Sequence, residues 1–267
     1  MKPKSDRFLP LVTLALAVWI FTGCMTTPET GRSQLILLSA EQETKLGFQS
    51  FDQLKKQTPI SKNAAANAQL QRVGKQIAAV ADLPGAQWEF VLFESKEPNA
   101  FCLPGGKVGV YTGILPLTKD DAGLAAVIGH EVAHAVLRHG NERVSRSMLW
   151  QMGATALGTG MSVSAADPRV AMAVQQAYGA GSQVLSELPH SRDQESEADR
   201  VGLRYMARAG YDPEAALGFW QRFAAFNSQA GGGGGFSFLR THPTDATRVK
   251  QIQAWLPEAK AQYRPRQ

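Results

Sequence analysis

Cysteine is scarce in this chain of 267 residues, which contains only Cys24 and Cys102. Two cysteines cannot form the disulfide framework of a small secreted fold, so a hydrophobic core must hold the domain together, and a chain of this length is able to bury one. Long basic runs are also absent. The formal net charge is +5, but part of this excess lies in the first 23 residues, and no basic patch with interleaved aromatic residues follows. Nucleic acid is therefore not an expected partner.

Residues 1–23 have the pattern of a signal peptide. The basic segment MKPKSDR is followed by FLPLVTLALAVWIF, an apolar run of fourteen residues that is too short for a comfortable membrane span. Small residues then precede Cys24, an arrangement that resembles a bacterial lipobox, in which the cysteine receives a lipid. Met25 follows in place of the Asp that often retains lipoproteins in the inner membrane. We therefore expect a lipid anchor at Cys24 that holds the protein on the outer membrane, facing the periplasm.

Two alternatives to lipidation remain open. The segment is also compatible with a plain secretory signal or a membrane anchor in which Cys24 is incidental. The other alternative is a disulfide bridge between Cys24 and Cys102, whereas a lipidated Cys24 would leave Cys102 without an internal partner.

Beyond the signal peptide, residues 24–34 are predicted to be a polar linker and residues 35–267 a single domain. Periodicity predicts a mainly helical α+β fold with a small β-sheet beside the helix that carries the main motif. Residues 147–166 lack charge but are rich in small residues, which favours a packing helix or a lid. Five glycines at 231–235 predict a flexible loop. The first predicted helix begins at a Ser39–Gln42 capping box. The others span 64–81, Thr118 to about 147, 169–187, 193–209 and Pro243 to about 255. The predicted strands lie at 88–93, 99–104 and 107–112.

One predicted helix carries a motif that points to chemistry. His130-Glu131-Val132-Ala133-His134 fits the pattern H-E-x-x-H. Residues four apart lie about one turn apart on the same face of a helix, so both imidazoles are able to reach one zinc ion. Glu131 is turned by about 100° from His130 and is able to act on a water beside the metal without binding the metal. The alternative is a chance match on an amphipathic helix.

A catalytic zinc needs a third protein ligand, and His139 is the nearest candidate. It lies about 500° around a continuous helix from His134 and therefore on another side. The spacing H-E-x-x-H-x-x-G-x-x-H also fails, because its Gly and His positions hold Leu137 and Gly140. His139 is therefore interpreted as a residue at the end of a helix that interacts with the C-terminal dipole.

A carboxylate from another helix is the remaining possibility. Glu195 and Asp199 are four residues apart and share a face of the predicted helix at 193–209, whereas Glu197 points elsewhere. Glu195 would complete a His-His-Glu ligand set, and Asp199 would accept the outward N–H of a ligand histidine. The alternative is an acidic, solvated first turn that favours the helix dipole.

Five ordered motifs resemble those of the HtpX-like gluzincin peptidases, the family that includes the CAAX prenyl proteases, the Oma-type peptidases and the bacterial lipoproteins BepA and LoiP. The motifs are GRSQLILLS, NAFCLPGGKVGVYTGIL, HEVAHAVLRHG, ESEADRVGL and THPTDATR. The resemblance runs from about Gly31 to Trp255. It implies a zincin-type metallopeptidase domain, one zinc ion per chain, Glu195 as the third zinc ligand and Asp199 as a residue that supports a ligand from behind.

The motif THPTDATR carries two further residues to which the resemblance assigns roles. His242 faces the zinc in this family, where it stabilises the oxyanion of the tetrahedral intermediate or, in BepA-like members, blocks the metal. A capping role before Pro243 is the alternative. Arg248 is expected to pair with a neighbouring carboxylate and hold the site together.

NAFCLPGG resembles the edge strand of the family, which binds an extended peptide as an added strand. The resemblance implies that Asn99, Ala100 and Phe101 contact the substrate. Cys102 stands where a small residue such as Ala is expected, and a buried thiol is compatible with that position.

These residues together predict a zinc-dependent metalloendopeptidase at the periplasmic face of the cell envelope, with Glu131 and His242 as its catalytic residues. Unfolded or misassembled envelope proteins are the expected substrates. A second hypothesis is a zinc-binding, chaperone-like assembly factor for outer-membrane proteins with little proteolysis; the lack of room for a tetratricopeptide domain before Gln267 favours the protease. A third is an integral membrane protease with residues 147–166 inserted, which their weak hydropathy disfavours.

Overall fold

The computed structural model describes residues 24–27, 29–159, 190–229, 238, 241–242 and 246–265. Within this part of the chain helices dominate, and the short strands form two small sheets, which confirms the mainly helical α+β fold. The predicted signal peptide, the helix at 169–187, the glycine loop at 231–235 and Pro243 lie outside the described residues.

The described elements follow one another from an N-terminal hairpin to a C-terminal helix. They are β1 (Cys24–Thr26), β2 (Ser33–Leu35), α1 (Ala40–Gln57), α2 (Ala64–Ala78), β3 (Glu89–Phe93), β4 (Ala100–Leu103), β5 (Lys107–Tyr111), a 3-10 turn (Thr112–Ile114), α3 (Leu115–Thr118), α4 (Asp121–Val136), α5 (His139–Thr159), α6 (Arg192–Arg208), α7 (Glu214–Gln229) and α8 (Ala246–Lys260).

A three-stranded sheet lies beside α4, as predicted. β3 pairs with β5 in parallel and β4 pairs with β5 in antiparallel orientation, so β5 is central and β4 is an edge strand. The turn between β4 and β5 contains Gly105 and Gly106, both at φ +82°, a conformation that glycine adopts without strain. Successive residues face opposite sides of the sheet: Leu92 joins the main core, whereas Phe93 joins an aromatic cluster against α1.

Helix α4 is the central element of the domain. Every residue from Gly123 to Val136 is buried, as expected for a helix that is almost entirely apolar outside its H-E-x-x-H motif. It contacts α2, α6, α7 and the edge strand β4. Asp120 caps its start by accepting a hydrogen bond from the backbone N–H of Gly123 at 2.8 Å. The helix therefore begins beyond the predicted Thr118.

The prediction of one continuous helix from Thr118 to about residue 147 is wrong, because the helix is interrupted between α4 and α5. Arg138 has φ +57°, a left-handed conformation that ends a helix and that few residues other than glycine adopt. Contacts from α1 and the segment before it stabilise this conformation. Nε of Arg138 donates to Oε2 of Glu43 at 2.8 Å, and its Nη2 donates to the carbonyl of Leu38 at 2.9 Å. Helix α5 then begins at His139.

The backbones of α4 and α6 touch at Gly129 and Gly202. A Cβ atom at Gly202 would lie 2.9 Å from the backbone N of His130, a distance that real Cβ atoms essentially never show. Glycine at this position therefore allows the two helices to approach closely. The contact places Asp199 and Glu195, one and two turns before Gly202, beside His130.

Within the segment predicted to form a linker, 24–34, the described residues include the two strands of a small hairpin that packs on the domain. β1 and β2 are antiparallel. Between them, the guanidinium of Arg32 contacts Glu142 of α5 and Glu197 of α6, each at 2.7 Å. The polar composition of this segment thus reflects ion pairs with buried partners, which the sequence of the segment alone does not indicate.

Two helices differ from the prediction near the C-terminal end. Helix α7 was not expected, although its buried residues Phe219, Trp220 and Phe223 recur at helical spacing. Helix α8 continues through Pro257 to Lys260, beyond the predicted end at about 255. In the part of the chain that the structure covers, none of the helices combines the length and apolar character that a bilayer span requires.

Replacing Gly202 with Ala is expected to lower the free energy of unfolding by about 1–3 kcal/mol, because the added methyl group forces α4 and α6 apart. Urea denaturation of the metal-free protein measures this change.

The matched control is Gly218→Ala in α7. Its new Cβ would meet only the flexible end of Arg222, at 3.1 Å, and alanine favours a helix over glycine by about 1 kcal/mol. The stability of this control should be unchanged or higher. A Gly202→Ala protein as stable as the control would contradict the close contact of the two helices.

Candidate metal centre

The two histidines of H-E-x-x-H face one point. His130 and His134 lie one turn apart on α4, and their Nε2 atoms are 3.0 Å apart. Both residues are buried, with 1% and 5% of their surface exposed. Their orientation leaves two ring nitrogens directed at the same small space, as a shared metal ion requires.

Helix α6 brings a carboxylate to these nitrogens. Its start is fixed by a capping box in which Ser191 Oγ accepts from the backbone N–H of Gln194 at 3.2 Å. The next residue is Glu195, whose Oε1 lies 3.2 Å from Nε2 of His134 and whose Oε2 lies 3.5 Å from Nε2 of His130. The structure therefore brings together all three residues predicted to bind the metal.

His242 belongs to the same cluster. Its Nδ1 lies 2.9 Å from Oε1 of Glu195 and 3.1 Å from Nε2 of His130. The ligand atoms of these residues and His134 all lie within 4.8 Å of one another. Burial lowers the pKa of His242, but the carboxylates of Glu195 and Glu131 outweigh burial and raise it. The imidazole thus offers a fourth possible ligand atom to the same group.

The donor set and its charge fit a zinc ion. Two imidazole nitrogens and one carboxylate are a common ligand set of catalytic zinc. Nδ1 of His130 lies 2.9 Å from Oδ1 of Asp199, a contact that favours a proton on Nδ1 and leaves a lone pair on Nε2 for the cluster. Two buried carboxylates, Glu195 and Asp199, contact the guanidinium of Arg248. A cation beside Glu195 would offset the remaining negative charge.

Arg248 holds the carboxylates of Glu195 and Asp199 in place. Its Nε and Nη2 donate to the carboxylate of Asp199 at 2.7 and 2.8 Å. Its Nη1 lies 2.7 Å from Oε2 of Glu195, an ion pair without hydrogen-bond geometry. The guanidinium carbon lies 3.5 Å from the ring centroid of Trp220. Burial raises the pKa of Asp199, but Arg248 and the hydrogen bond from His130 outweigh burial and lower it.

Glu131 lies beside the cluster and lines a groove between α4 and β4. Only 4% of this residue is exposed, and its Oε1 has no hydrogen-bond partner within the described residues. The nearest ring nitrogen, Nε2 of His242, is 3.4 Å away. Burial raises the pKa of Glu131. A carboxylate with a raised pKa beside the metal site is suited to accept and return a proton.

The residues predicted to contact substrate line the same groove. Asn99 precedes β4, and Ala100 and Phe101 begin it; each is at most 8% exposed. The ring of Phe101 packs into the aromatic cluster against α1. A bound peptide would therefore contact this strand through its backbone. Cys102, on the same strand, is a free cysteine, which removes the disulfide alternative, and burial raises the pKa of its thiol.

The interpretation of His139 as a residue at the C-terminal end of a helix is wrong. His139 is the first residue of α5 and is fully buried. Its Nδ1 lies 2.8 Å from Nδ1 of His134, and its Nε2 lies 3.1 Å from Oε2 of Glu197. It therefore contacts the nitrogen of His134 that faces away from the cluster. A helical wheel cannot show this contact, because it continues α4 through Arg138.

Two other residues near the cluster were missed. The ring of Trp220 lies 5.3 Å from that of His130, and the ring of His190 lies 3.8 Å from that of His134. Nδ1 of His190 is buried without a hydrogen-bond partner in the region that the structure describes. Periodicity in EAALGFWQRFAAF is the signal that would have located Trp220, whereas no motif surrounds His190.

Comparison with known proteins supports the same chemistry. Residues 64–256 match peptidase family M48, a span that includes H-E-x-x-H, Glu195 and His242. This chain belongs to peptidase family M48. It is therefore a metalloendopeptidase, as the motifs predict, and family membership implies a bound metal, which is typically zinc.

The relatives include mitochondrial and bacterial proteases. Mitochondrial metalloendopeptidase OMA1 of Schizosaccharomyces pombe is 32% identical over 267 residues, which cover 96% of this chain and 74% of that protein. OMA1 of Saccharomyces cerevisiae is 30% identical over 279 residues, covering 97% and 77%. The beta-barrel assembly-enhancing protease of Escherichia coli is 26% identical over 232 residues, covering 84% of this chain and 46% of that protein.

Replacing Glu195 with Gln is expected to abolish tight zinc binding and activity together, because the amide removes the anionic ligand while preserving its shape. Zinc content after dialysis against a weak chelator measures the loss.

Glu258→Gln is the matched control, because Glu258 of α8 pairs with Arg200 of α6 at 2.8 Å and its side chain is 37% exposed. This control should retain its zinc. If Glu195→Gln retained as much zinc as Glu258→Gln, Glu195 would not be the third ligand.

Proposed function

We propose that this M48 peptidase is a zinc-dependent endopeptidase that cleaves unfolded or misassembled proteins at the periplasmic face of the outer membrane, where a lipid on Cys24 anchors it. The enzymatic part of this proposal rests on one observation. His130, His134 and Glu195 converge beside Glu131, in a groove that the edge strand β4 also lines. We propose one zinc ion per chain at this point.

A bound zinc would supply Lewis acidity, lowering the pKa of a water and polarising the scissile carbonyl. The side chains of the protein would carry out the proton transfers. Glu131 accepts a proton from the attacking water and delivers it to the leaving amine, a transfer favoured by its raised pKa and by the absence of competing hydrogen bonds to Oε1 among the described groups. Asp199 and Arg248 keep the ligand residues oriented throughout.

His242 has two roles in this proposal. With Nδ1 among the ligand atoms of the cluster, its ring would exclude a water from a bound metal. Once displaced by substrate, an N–H of the same ring would stabilise the oxyanion that develops at the carbonyl. The raised pKa of His242 favours the protonated, donating ring.

The edge strand β4 supports recognition of extended polypeptides. It pairs with β5 on one side, and a substrate strand would add on the other. Because the side chains of Asn99 and Phe101 are buried, recognition through the backbone would be weakly dependent on substrate sequence. Unfolded or misassembled envelope proteins have the exposed extended segments that such a site would bind. Nucleic acid is not proposed as a partner.

A chaperone-like assembly role is the second candidate. Its support is the similarity to the beta-barrel assembly-enhancing protease, whose name joins proteolysis to beta-barrel assembly. In that case zinc and client binding would matter more than cleavage, and a variant without peptidase activity would retain the protein's effect on assembly.

The Glu131→Gln variant tests the enzymatic proposal. It should bind zinc normally but hydrolyse casein at least about a hundredfold more slowly than wild type, because general acid–base catalysis contributes on the order of 10²–10⁴ in rate.

Glu41→Gln, in the first turn of α1 and exposed to solvent, serves as the control and should retain full activity. Equal casein hydrolysis by Glu131→Gln and this control would refute the assigned mechanism, and wild-type protein without bound zinc would refute the metal site.

The anchor is tested by Cys24→Ala in cells, with Cys102→Ala as the control. The first variant should leave the membrane fraction on alkaline carbonate extraction, because a lipid that stabilises membrane binding by about 0.8 kcal/mol per methylene is missing. The second should stay. Membrane retention of both variants would contradict anchoring through Cys24.

A further inference from the structure

A chain of polar contacts leads away from the outward-facing nitrogen of His134. Nδ1 of His134 lies 2.8 Å from Nδ1 of His139, and Nε2 of His139 lies 3.1 Å from Oε2 of Glu197. The rings of both histidines are buried, and the side chain of Glu197 is only 10% exposed. The contacts are therefore shielded from competing water.

The carboxylate at the end of this chain fixes the position of every proton in it. Glu197 only accepts, so His139 donates from Nε2, and as a neutral ring it presents a lone pair at Nδ1. That lone pair requires a donor, so His134 carries its proton on Nδ1. The Nε2 of His134 is then left unprotonated, which is the form that binds a metal.

The other ligand histidine reaches the same state by a shorter route. Oδ1 of Asp199 lies 2.9 Å from Nδ1 of His130, with no second imidazole between them. A carboxylate on one face of each ligand ring thus selects the proton position of both. For His134 the carboxylate lies one imidazole farther away, and it needs its own support to stay in place.

The N-terminal hairpin provides that support. Nε of Arg32 donates to Oε2 of Glu197 at 2.7 Å, and the hydroxyl of Thr30 donates to Oε1. The same guanidinium donates to both carboxylate oxygens of Glu142 on α5, at 2.9 and 2.7 Å. The side-chain amide of Gln194 on α6 donates to Glu142 at 2.8 Å. Arg32 therefore connects the hairpin to the two helices that carry His139 and Glu197.

We propose that Glu197 and His139 are positioning residues that orient His134 and select its metal-binding tautomer, and that the N-terminal hairpin holds this relay in place through Arg32. The proposal rests on the metal site proposed above. It gives the hairpin, whose first strand begins at Cys24, an effect on metal affinity that passes through Glu197 and His139.

The test compares zinc affinities of the full chain by competition with a chromophoric chelator. His139→Leu removes the acceptor for His134 and should weaken zinc binding by about tenfold to a hundredfold, the usual effect of losing a residue that supports a ligand histidine. His139→Asn retains an acceptor near the place of Nδ1 and should recover most of the affinity. If His139 had only a structural role, His139→Asn would not bind zinc more tightly than His139→Leu.

Arg32→Gln tests the contribution of the hairpin. It breaks both ion pairs of Arg32 at a side chain that is 24% exposed, and it should weaken zinc binding by about threefold to tenfold. The control is Arg72→Gln, which removes an ion pair with Asp121 at 2.7 Å on the protein surface, where the side chain of Arg72 is 50% exposed. This variant should leave zinc affinity unchanged.

Urea denaturation of each metal-free variant separates affinity from folding, and Arg32→Gln and His139→Asn provide the test if His139→Leu does not fold. Unchanged zinc affinity in both His139→Leu and Arg32→Gln would overturn the relay while leaving the metal site intact. Equal weakening by His139→Leu and His139→Asn would also overturn it. Wild-type protein that binds two zinc ions, one of them lost on replacing His139, would make His139 a ligand and refute its positioning role.

Discussion

The contact between the backbones of α4 and α6 is the constraint on which the metal centre depends. At Gly202 the two helices are so close that a single added methyl group would overlap the backbone at His130. This separation lets Glu195 reach the two imidazoles of α4 and lets Asp199 contact the outward-facing Nδ1 of His130. Helices a few ångströms farther apart would leave the H-E-x-x-H histidines without a third ligand.

Burying so many charged groups is costly unless each has a partner, and the arrangement of the site supplies partners from several elements. Arg248 of α8 pairs with Glu195 and Asp199 of α6 and lies against Trp220 of α7. On the other side of the cluster, Arg32 of the hairpin pairs with Glu197. The ligand residues come from α4 and α6, but their orientation depends on residues from both ends of the described chain.

Local sequence predicted the parts of the site that are set by spacing within one helix. The pair His130 and His134 follows from their four-residue separation, and the edge strand β4 follows from its turn residues and family resemblance. The break at Arg138 could not be predicted in this way, because its left-handed conformation depends on Glu43, which lies on another helix. Since the helical wheel assumed no break, it excluded His139 from the surroundings of His134.

Anomalous diffraction at the zinc absorption edge, from crystals of the metal-loaded protein, tests the central claim most directly. The account predicts one peak per chain, about 2.0–2.2 Å from Nε2 of His130, Nε2 of His134 and a carboxylate oxygen of Glu195, with His139 on the far side of the His134 ring. A peak coordinated by His139 or His190 in place of Glu195, or the lack of any peak beside α4, would contradict it.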